Sequence, residues 1–371
     1  MSGWNIVIFG LTVSSSWGNG HATLWRGLLR ALGDRGHRIT FFEKDVQYYR
    51  DARDLTDLPG GGALRLYQDL ASIRVEAQRA LDDADVAIVT SYCPDGSAVA
   101  EMLLASKAGI KVFYDLDTPV TLRSLATGAH PEYLPSNGLA GFDLVLSYTG
   151  GRALTELQQR LGARNVAPLY GWVDPVQHHP VPAQDHYRCD LSYLGTYAPD
   201  RQPALDRLFL EPARTLPGCT FLIGGAQYPA DFPWTSNLYF HRHVPPVAHP
   251  AFFSSSRWTL NITRQAMAEY GFCPSGRLFE AASCGTPLLS DHWEGLDTFL
   301  TPGEQIVLVD TAEDVVHALQ LADAERDRIA RQARERVLVE HTADARARTL
   351  EALLEQARPH AAPVLASAGI R

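Results

Sequence analysis

The chain has 371 residues, 46% hydrophobic and 20% charged, with 33 basic against 42 acidic side chains and a net charge of −9. This length exceeds one ordinary core and favours two domains, and the composition is that of a soluble globular protein. The acidic balance leaves no basic surplus for a nucleic-acid backbone, although one or two placed cations suffice for a small phosphorylated ligand. The start, MSGWNIVIFG, has a short apolar run and no basic residue, unlike a signal peptide, and no stretch reaches the roughly 20 apolar residues of a membrane span. Cys93, Cys189, Cys219, Cys273 and Cys284 are odd in number and lack metal spacing, so reduced thiols in a cytoplasmic protein are expected.

In chain order, a β-branched strand over 5–9 leads through a polar loop to an amphipathic helix over 20–34. Its Leu24, Leu28, Leu29 and Leu32 keep helical spacing, and Gly36 lies just past its end. Strands follow over 38–42, 86–90, 111–115 and 144–147, with helical patterns over 68–81, 98–108 and 152–161. This alternation predicts a parallel sheet covered on both faces. The stretch PLYGWVDPVQHHPVPAQDH carries four prolines and no period, so 169–190 reads as a linker between a first domain over 1–168 and a second over 191–340. The second alternation has strands over 191–194, 220–223, 258–262, 287–290 and 305–309, and helices over 200–209 and 312–321. Charged helical pattern runs over 325–356, its last part (341–358) forming a C-terminal helix, and a disordered tail is expected over 359–371. The fold class is therefore α/β, two Rossmann-like parallel-sheet domains facing a cleft.

The richest segment is GFCPSGRLFEAASCGTPLLSDHWEGL, from Gly271 to Leu296. Ser275 can cap a short helix, Gly276 and Arg277 occupy its first turn, Glu280 lies one turn on, and Gly285 closes it before an apolar strand. Free amides at a helix start beside an arginine make a phosphate site. A nucleoside diphosphate suits the layout, with Glu280 on the ribose and Arg264, just after a strand, as a second phosphate cation. Otherwise Arg264 and Arg277 are surface arginines paired to Glu280. Tyr270 and Gly271, which lead into the helix, are counted with the donor-binding residues.

The run ITRQAMAEYGFCPSGRLFEAASCGTPLLSD resembles the donor-binding signature of glycosyltransferases with the two-Rossmann-domain (GT-B) fold, closest to the CgeB-like, spore-maturation branch within group 1. SSSWGNGHATLWRGLLRALGDRGHRITFFEKD is similar to the first loop, helix and strand of these enzymes. The resemblance implies transfer of a sugar from a nucleotide-sugar, UDP or dTDP being expected, to an unknown small-molecule or glycan acceptor. It also implies a donor site on the second domain, and a final helix crossing back to the first. No cofactor beyond the nucleotide-sugar co-substrate and no metal is expected, and no nucleic-acid partner. Many retaining members carry two glutamates at a fixed spacing. Glu280 matches the second, but the first position is Phe272, and Glu269 is out of register.

By the same resemblance His21, in WGNGHA, stands where a general base or donor-contacting histidine is found, a role imidazole can fill near neutrality. It could equally be a helix-start residue without catalytic part. Gly18 and Gly20 let the backbone pass close to the sugar, or form a tight turn. Asp115 and Asp117, in YDLDTP, leave a strand and are expected to point into the cleft, Asp117 as acceptor contact, base or helix cap. Gly195, Thr196 and Tyr197 follow a strand and can reach donor phosphates. His241 to Pro246 lies where related enzymes hold the nucleobase, which selects His243 and Val244; the alternating histidines also suggest zinc. Two rival functions stand beside this reading. Gly18 and Gly20 with Glu43 imitate the glycine turn and ribose acid of an NAD or flavin oxidoreductase, without the third glycine. A non-catalytic sugar-nucleotide or partner-binding protein is the other.

Overall fold

The structure is a computed structural model and describes residues 3–358. The tail expected over 359–371 lies outside the described residues.

Two wholly parallel sheets form the frame. The first contains β1 (Asn5–Gly10), β2 (Arg38–Lys44), β3 (Ala63–Tyr67), β4 (Val86–Thr90), β5 (Ile110–Asp115), β6 (Leu144–Ser147) and β7 (Val166–Pro168), in the order β3-β2-β1-β4-β5-β6-β7. Its helices are α1 (His21–Asp34), α2 (Gln47–Arg50), α3 (Leu70–Asp82), α4 (Gly96–Ala105), α5 (Thr118–Ala126) and α6 (Arg152–Leu161). Along β1 the side chains alternate, Ile6 and Ile8 entering the core on one face, Val7 and Phe9 that on the other. That is why the strand is apolar throughout rather than alternating, as covered parallel strands are.

The second sheet contains β8 (Cys189–Leu194), β9 (Phe221–Gly225), β10 (Leu238–Arg242), β11 (Ser256–Asn261), β12 (Leu288–Ser290) and β13 (Val307–Leu308), in the order β10-β9-β8-β11-β12-β13. Around it lie α7 (Gln202–Leu205), α8 (Glu211–Thr215), α9 (His249–Ser254), α10 (Gln265–Tyr270), α11 (Gly276–Ser283), α12 (Ala312–Leu319) and α13 (Asp323–Glu340), and α14 (Ala343–Ala357) ends the described chain. In each sheet the strand order reverses beside the first strand, at β1/β4 and β8/β11. Ligands of open α/β sheets bind at such reversals, outside the carboxyl ends of the strands.

Three strands escape the sequence reading, all at sheet edges. β3 buries only Tyr67 and carries Arg65, β7 is only three residues ending in Pro168, and β10 is mostly exposed. Edge strands tolerate proline and polar residues because one side needs no partner. α5, opened by Pro119, was also unforeseen. The charged pattern over 325–356 is two helices, broken at His341 and Thr342.

That break is where the chain returns to the first sheet. The outgoing linker and the returning chain run side by side: Val173 N–H donates to His341 O at 2.9 Å, and Ala343 N–H donates to Val173 O at 2.8 Å. The buried Arg346 ties them, its Nε 3.1 and 3.2 Å from the carbonyls of Tyr170 and Gly171, its Nη2 2.9 Å from His341 Nδ1. Beyond the crossing, Ala343, Ala347, Leu350 and Leu354 of α14 join the core of the first sheet. Gly27 permits this docking, since a Cβ there would lie 3.3 Å from that of Ala343. Arg35 and His37 hold the far end through Glu351.

Candidate active site

The carboxyl ends of both sheets face one another across the cleft. On the first side the loop after β1 is shaped by Glu43, which is 1% exposed. Its carboxylate accepts from Thr12 Oγ1, Ser14 Oγ and the amides of Val13 and Ser14, at 2.5–3.0 Å. With every oxygen committed inside the protein, Glu43 is no ribose acid, and the oxidoreductase reading loses its second element. Gly18 takes φ +60°, and Asn19 Oδ1 accepts from His21 N–H at 3.1 Å, setting the start of α1.

His21 is the first residue of α1. Its Nε2 lies 3.8 Å from Asp117 Oδ2, and the two side chains are 21% and 23% exposed. The ring of Tyr92 stacks on His21 at 6.2 Å. Asp117 caps the start of α5 by position, without a side-chain cap bond. Asp115 departs from expectation: it is fully buried, its Oδ1 accepts from Asp117 N–H at 3.1 Å, and burial pushes its pKa up to about 6. It supports the turn and does not enter the cleft.

On the second side α11 begins as the residues dictate. Ser275 Oγ accepts from Arg277 N–H at 3.3 Å, and Gly285, at φ +78°, follows the helix end. Arg277 donates through Nη1 to Glu280 Oε2, with side-chain exposures of 31% and 4%. Burial opposes the Glu280 charge, but its neighbours, the Arg277 guanidinium foremost, outweigh it and hold the carboxyl well below the usual range. Arg264 stands at the start of α10, half-exposed, its Nε 3.6 Å from Asp200 Oδ2.

The cleft is two adjoining cavities. Trp17, Gly18, Tyr48, Gly225, His243 and Val244 are among those lining the first. His21, Asp117, Tyr148, Arg264, Ser275, Gly276 and Glu280 line the second. Gly20, Gly195, Thr196 and Arg277 belong to both. His243, at φ +54°, donates its N–H to Gly225 O at 2.7 Å, and its ring lies 4.5 Å from that of Trp17.

Three predicted donor residues are placed elsewhere. Tyr197 packs on Tyr228 and Phe232, at ring distances of 5.5 and 6.3 Å, in an aromatic cluster. Tyr270 donates to Glu156 Oε2 at 3.2 Å under the Arg152 guanidinium, 4.4 Å above its ring. Gly271, at φ +68°, has no room for a side chain, since a Cβ would meet Glu294 Cβ at 2.8 Å. The sequence singles out Tyr270 and Gly271 for their proximity to the phosphate helix, and Tyr197 for its place just after a strand. Phe272 likewise turns from the cleft. It holds φ +45° and sits so close to Gly295 and Gly151 that a Cβ on either would come within 2.4 or 2.7 Å of its ring. Around it Gly150 N–H donates to Phe272 O at 2.9 Å, Tyr148 OH to Pro274 O at 2.9 Å, and Arg152 Nη2 to Glu269 O at 2.6 Å. A ring that joins the two halves thus fills the place where the resemblance expects a sugar-binding glutamate.

The paired histidines of the zinc alternative separate as well, His241 Nε2 lying 2.9 Å from His186 O while His243 faces Trp17. Residues that the sequence did not single out are Trp17, Tyr48, Tyr148, His178 and His249. Trp17 had a signal, its place inside WGNGH; the linker histidine His178 had none, because nothing local announces its burial.

A family described as glycosyl transferase-like matches residues 201–352. No curated protein matches the sequence. Among solved structures, sucrose-phosphate synthase from Thermosynechococcus elongatus is similar at TM-score 0.67 and 13% identity, covering 95% of this chain and 98% of the other. An α-glucosyltransferase in complex with UDP and a mismatched 13-mer DNA gives TM-score 0.68 at 12% identity, covering 96% and 100%. Anabaena HepE in complex with UDP and glucose gives 0.63 at 11%, covering 95% and 100%. Matched along nearly its whole length by such structures, with two parallel-strand sheets and a cleft between them, this chain has the GT-B glycosyltransferase fold.

Proposed function

We propose that this chain transfers a sugar from a nucleoside-diphosphate sugar, carried by UDP or dTDP, to a small-molecule or glycan acceptor, as a CgeB-like glycosyltransferase. The observation that carries the reading is Arg277. It stands in the first turn of α11, in the wall shared by both cavities. A nucleotide in the Trp17 and His243 cavity and a sugar in the His21 and Asp117 cavity place their diphosphate between them, at this helix start. The relatives in complex with UDP support the choice of nucleotide.

Sugar transfer passes through an oxocarbenium-like state while charge collects on the departing diphosphate. Fixed cations and amides in a dry cleft offset that charge without reorganising. A helix start contributes about 0.3–1 kcal/mol, and each hydrogen bond to a charged group about 1.5–3 kcal/mol. Arg277, the α11 amides and Arg264 together account for several kcal/mol, so the diphosphate itself needs no metal. His21, with Asp117 beside it, is the group placed to take the acceptor proton. The acidic net charge supports a non-nucleic acceptor, and five unpaired cysteines support a cytoplasmic location. No helix among the described residues is long and apolar enough to cross a membrane.

Thermal-shift measurements with UDP, dTDP, GDP and CDP test the nucleotide, since a ligand at 100 Kd stabilises by about 2.7 kcal/mol. Release of UDP or dTDP from the matching nucleotide-glucose then tests turnover. Stabilisation by none of the four nucleotides refutes the donor assignment. The second reading, a binding protein without transfer, draws on Phe272, whose place in the interface leaves the sugar without that contact. Tight nucleotide binding with no hydrolysis and no transfer selects it.

A further inference from the structure

Glu280 meets two histidines that neither its helix nor its strand supplies. His178 comes from the linker and His249 opens α9. One ligand-capable atom from each of the three lies within 4.8 Å of the others, the one such set among the described residues. His178 Nε2 is 3.9 Å from Glu280 Oε1, and His249 Nδ1 is 3.6 Å from Oε2. The three side chains are 3%, 5% and 4% exposed.

Their hydrogen bonds do not close. His249 Nε2 lies 3.2 Å from Val244 O, and a carbonyl only accepts, so Nε2 carries the hydrogen. His249 Nδ1 is then a lone pair set against a carboxylate oxygen, and it has no partner. Both ring nitrogens of His178 are also without partners. Buried polar atoms left this way cost free energy, and two lone pairs facing each other repel. A positive centre between them removes both penalties. A proton on His249 would answer one contact and leave both nitrogens of His178 bare. A metal ion takes one lone pair from each histidine and a carboxylate oxygen together, and a ring N–H held by a backbone carbonyl, as at His249, is the usual setting of a metal-bound histidine.

We propose that His178, His249 and Glu280 bind one divalent metal ion, zinc being the best match to two imidazoles and a carboxylate. Bonds of about 2.0–2.2 Å in tetrahedral array put neighbouring ligand atoms roughly 3.3–3.5 Å apart. The two histidine-to-carboxylate separations, 3.9 and 3.6 Å, are close to that, and the three ligand atoms, all within 4.8 Å of one another, would draw in around the ion. His249 borders one cavity and Glu280 the other, which leaves a fourth position to water or a donor hydroxyl. The ion positions Glu280. When Arg277 turns from Glu280 to a phosphate, the metal keeps the buried carboxylate compensated. The ligand set is read from these three side chains alone, while its bearing on the donor hydroxyl and phosphate rests on the transfer reading.

The test uses the full chain stripped with chelator and re-equilibrated with zinc, with metal content measured by elemental analysis and cobalt substitution as a spectroscopic probe. One zinc per chain is expected, with the strong visible absorption of tetrahedral cobalt. His178→Ala and His249→Ala each lose the ion, while His241→Ala keeps it. Binding of no metal by the wild-type chain overturns the proposal, as does a stoichiometry unchanged in both variants. Should a variant fail to fold, zinc-edge X-ray absorption of the wild type decides: two imidazoles with oxygen ligands are expected, and sulfur ligation or absent imidazole scattering overturns it. UDP binding by the stripped chain reports separately on the donor reading.

Discussion

Replacing Arg277 by alanine separates the phosphate reading from a merely structural arginine. Arg277 uses Nη1 on Glu280, its side chain is 31% exposed, and it lines both cavities of the cleft. Loss of one charge-assisted bond to a diphosphate oxygen costs about 1.5–3 kcal/mol, or roughly a 10- to 150-fold rise in Kd for UDP. Uridine, which has the same base and ribose but no phosphate, should bind the variant and the wild type alike. Calorimetry on both ligands is the assay, with near-ultraviolet circular dichroism to establish that the variant is folded. The variant also leaves Glu280 without its guanidinium, so a lowered Tm accompanies the change and should be restored in part by Arg277→Ala combined with Glu280→Gln. An unchanged Kd for UDP refutes the phosphate assignment. An equal loss for uridine and UDP refutes it too, because the arginine would then act through Glu280 on the ribose.

Arg346→Ala removes a buried guanidinium from two carbonyls and a histidine nitrogen, and urea unfolding should register a loss of about 3–5 kcal/mol. Acid should weaken the same junction. Burial first, then the Arg346 charge, lowers the His341 pKa to about 4. The unfolded chain takes up this proton below about pH 6.5 and the folded chain only below about 4, so stability falls as pH drops across that window, by roughly 3 kcal/mol in all. His341→Asn should flatten that part of a Tm-against-pH curve. Gly295→Ala combines a φ of +84° with a Cβ 2.4 Å from the Phe272 ring, and should cost about 1–3 kcal/mol in the same unfolding assay.

What could be read from the residues follows from how local each signal is. The capped helix of α11, with Ser275, Arg277 and Gly285, is visible because a cap, a first turn and a stop lie within one short stretch. The central strands are visible because both their faces are covered, and a covered parallel strand is apolar end to end. Edge strands β3, β7 and β10 carry no such mark. The site is harder still. Asp115 and Asp117 look equivalent as letters, but in the structure one is sealed and the other open, and only the neighbouring strands decide which. Phe272 shows the same limit in reverse. Its packing against Gly151 and Gly295 joins residues far apart in the chain, and no window of sequence contains all three. His178 and His249 reach Glu280 from a linker and another helix, so their meeting is a property of the fold alone.

The chain crosses between the halves twice, at the outgoing linker and at the break before α14. A lone connecting segment is a swivel, free to twist as well as bend. Here the outgoing and returning chains lie parallel and are joined by two backbone hydrogen bonds at Val173, with Arg346 laid across them. A ribbon of two joined strands folds across its width far more readily than it twists. The halves should therefore part and meet like the covers of a book, about a single axis. The first loop, with His21, then returns after each opening to the same place opposite Arg277, with no search over rotations.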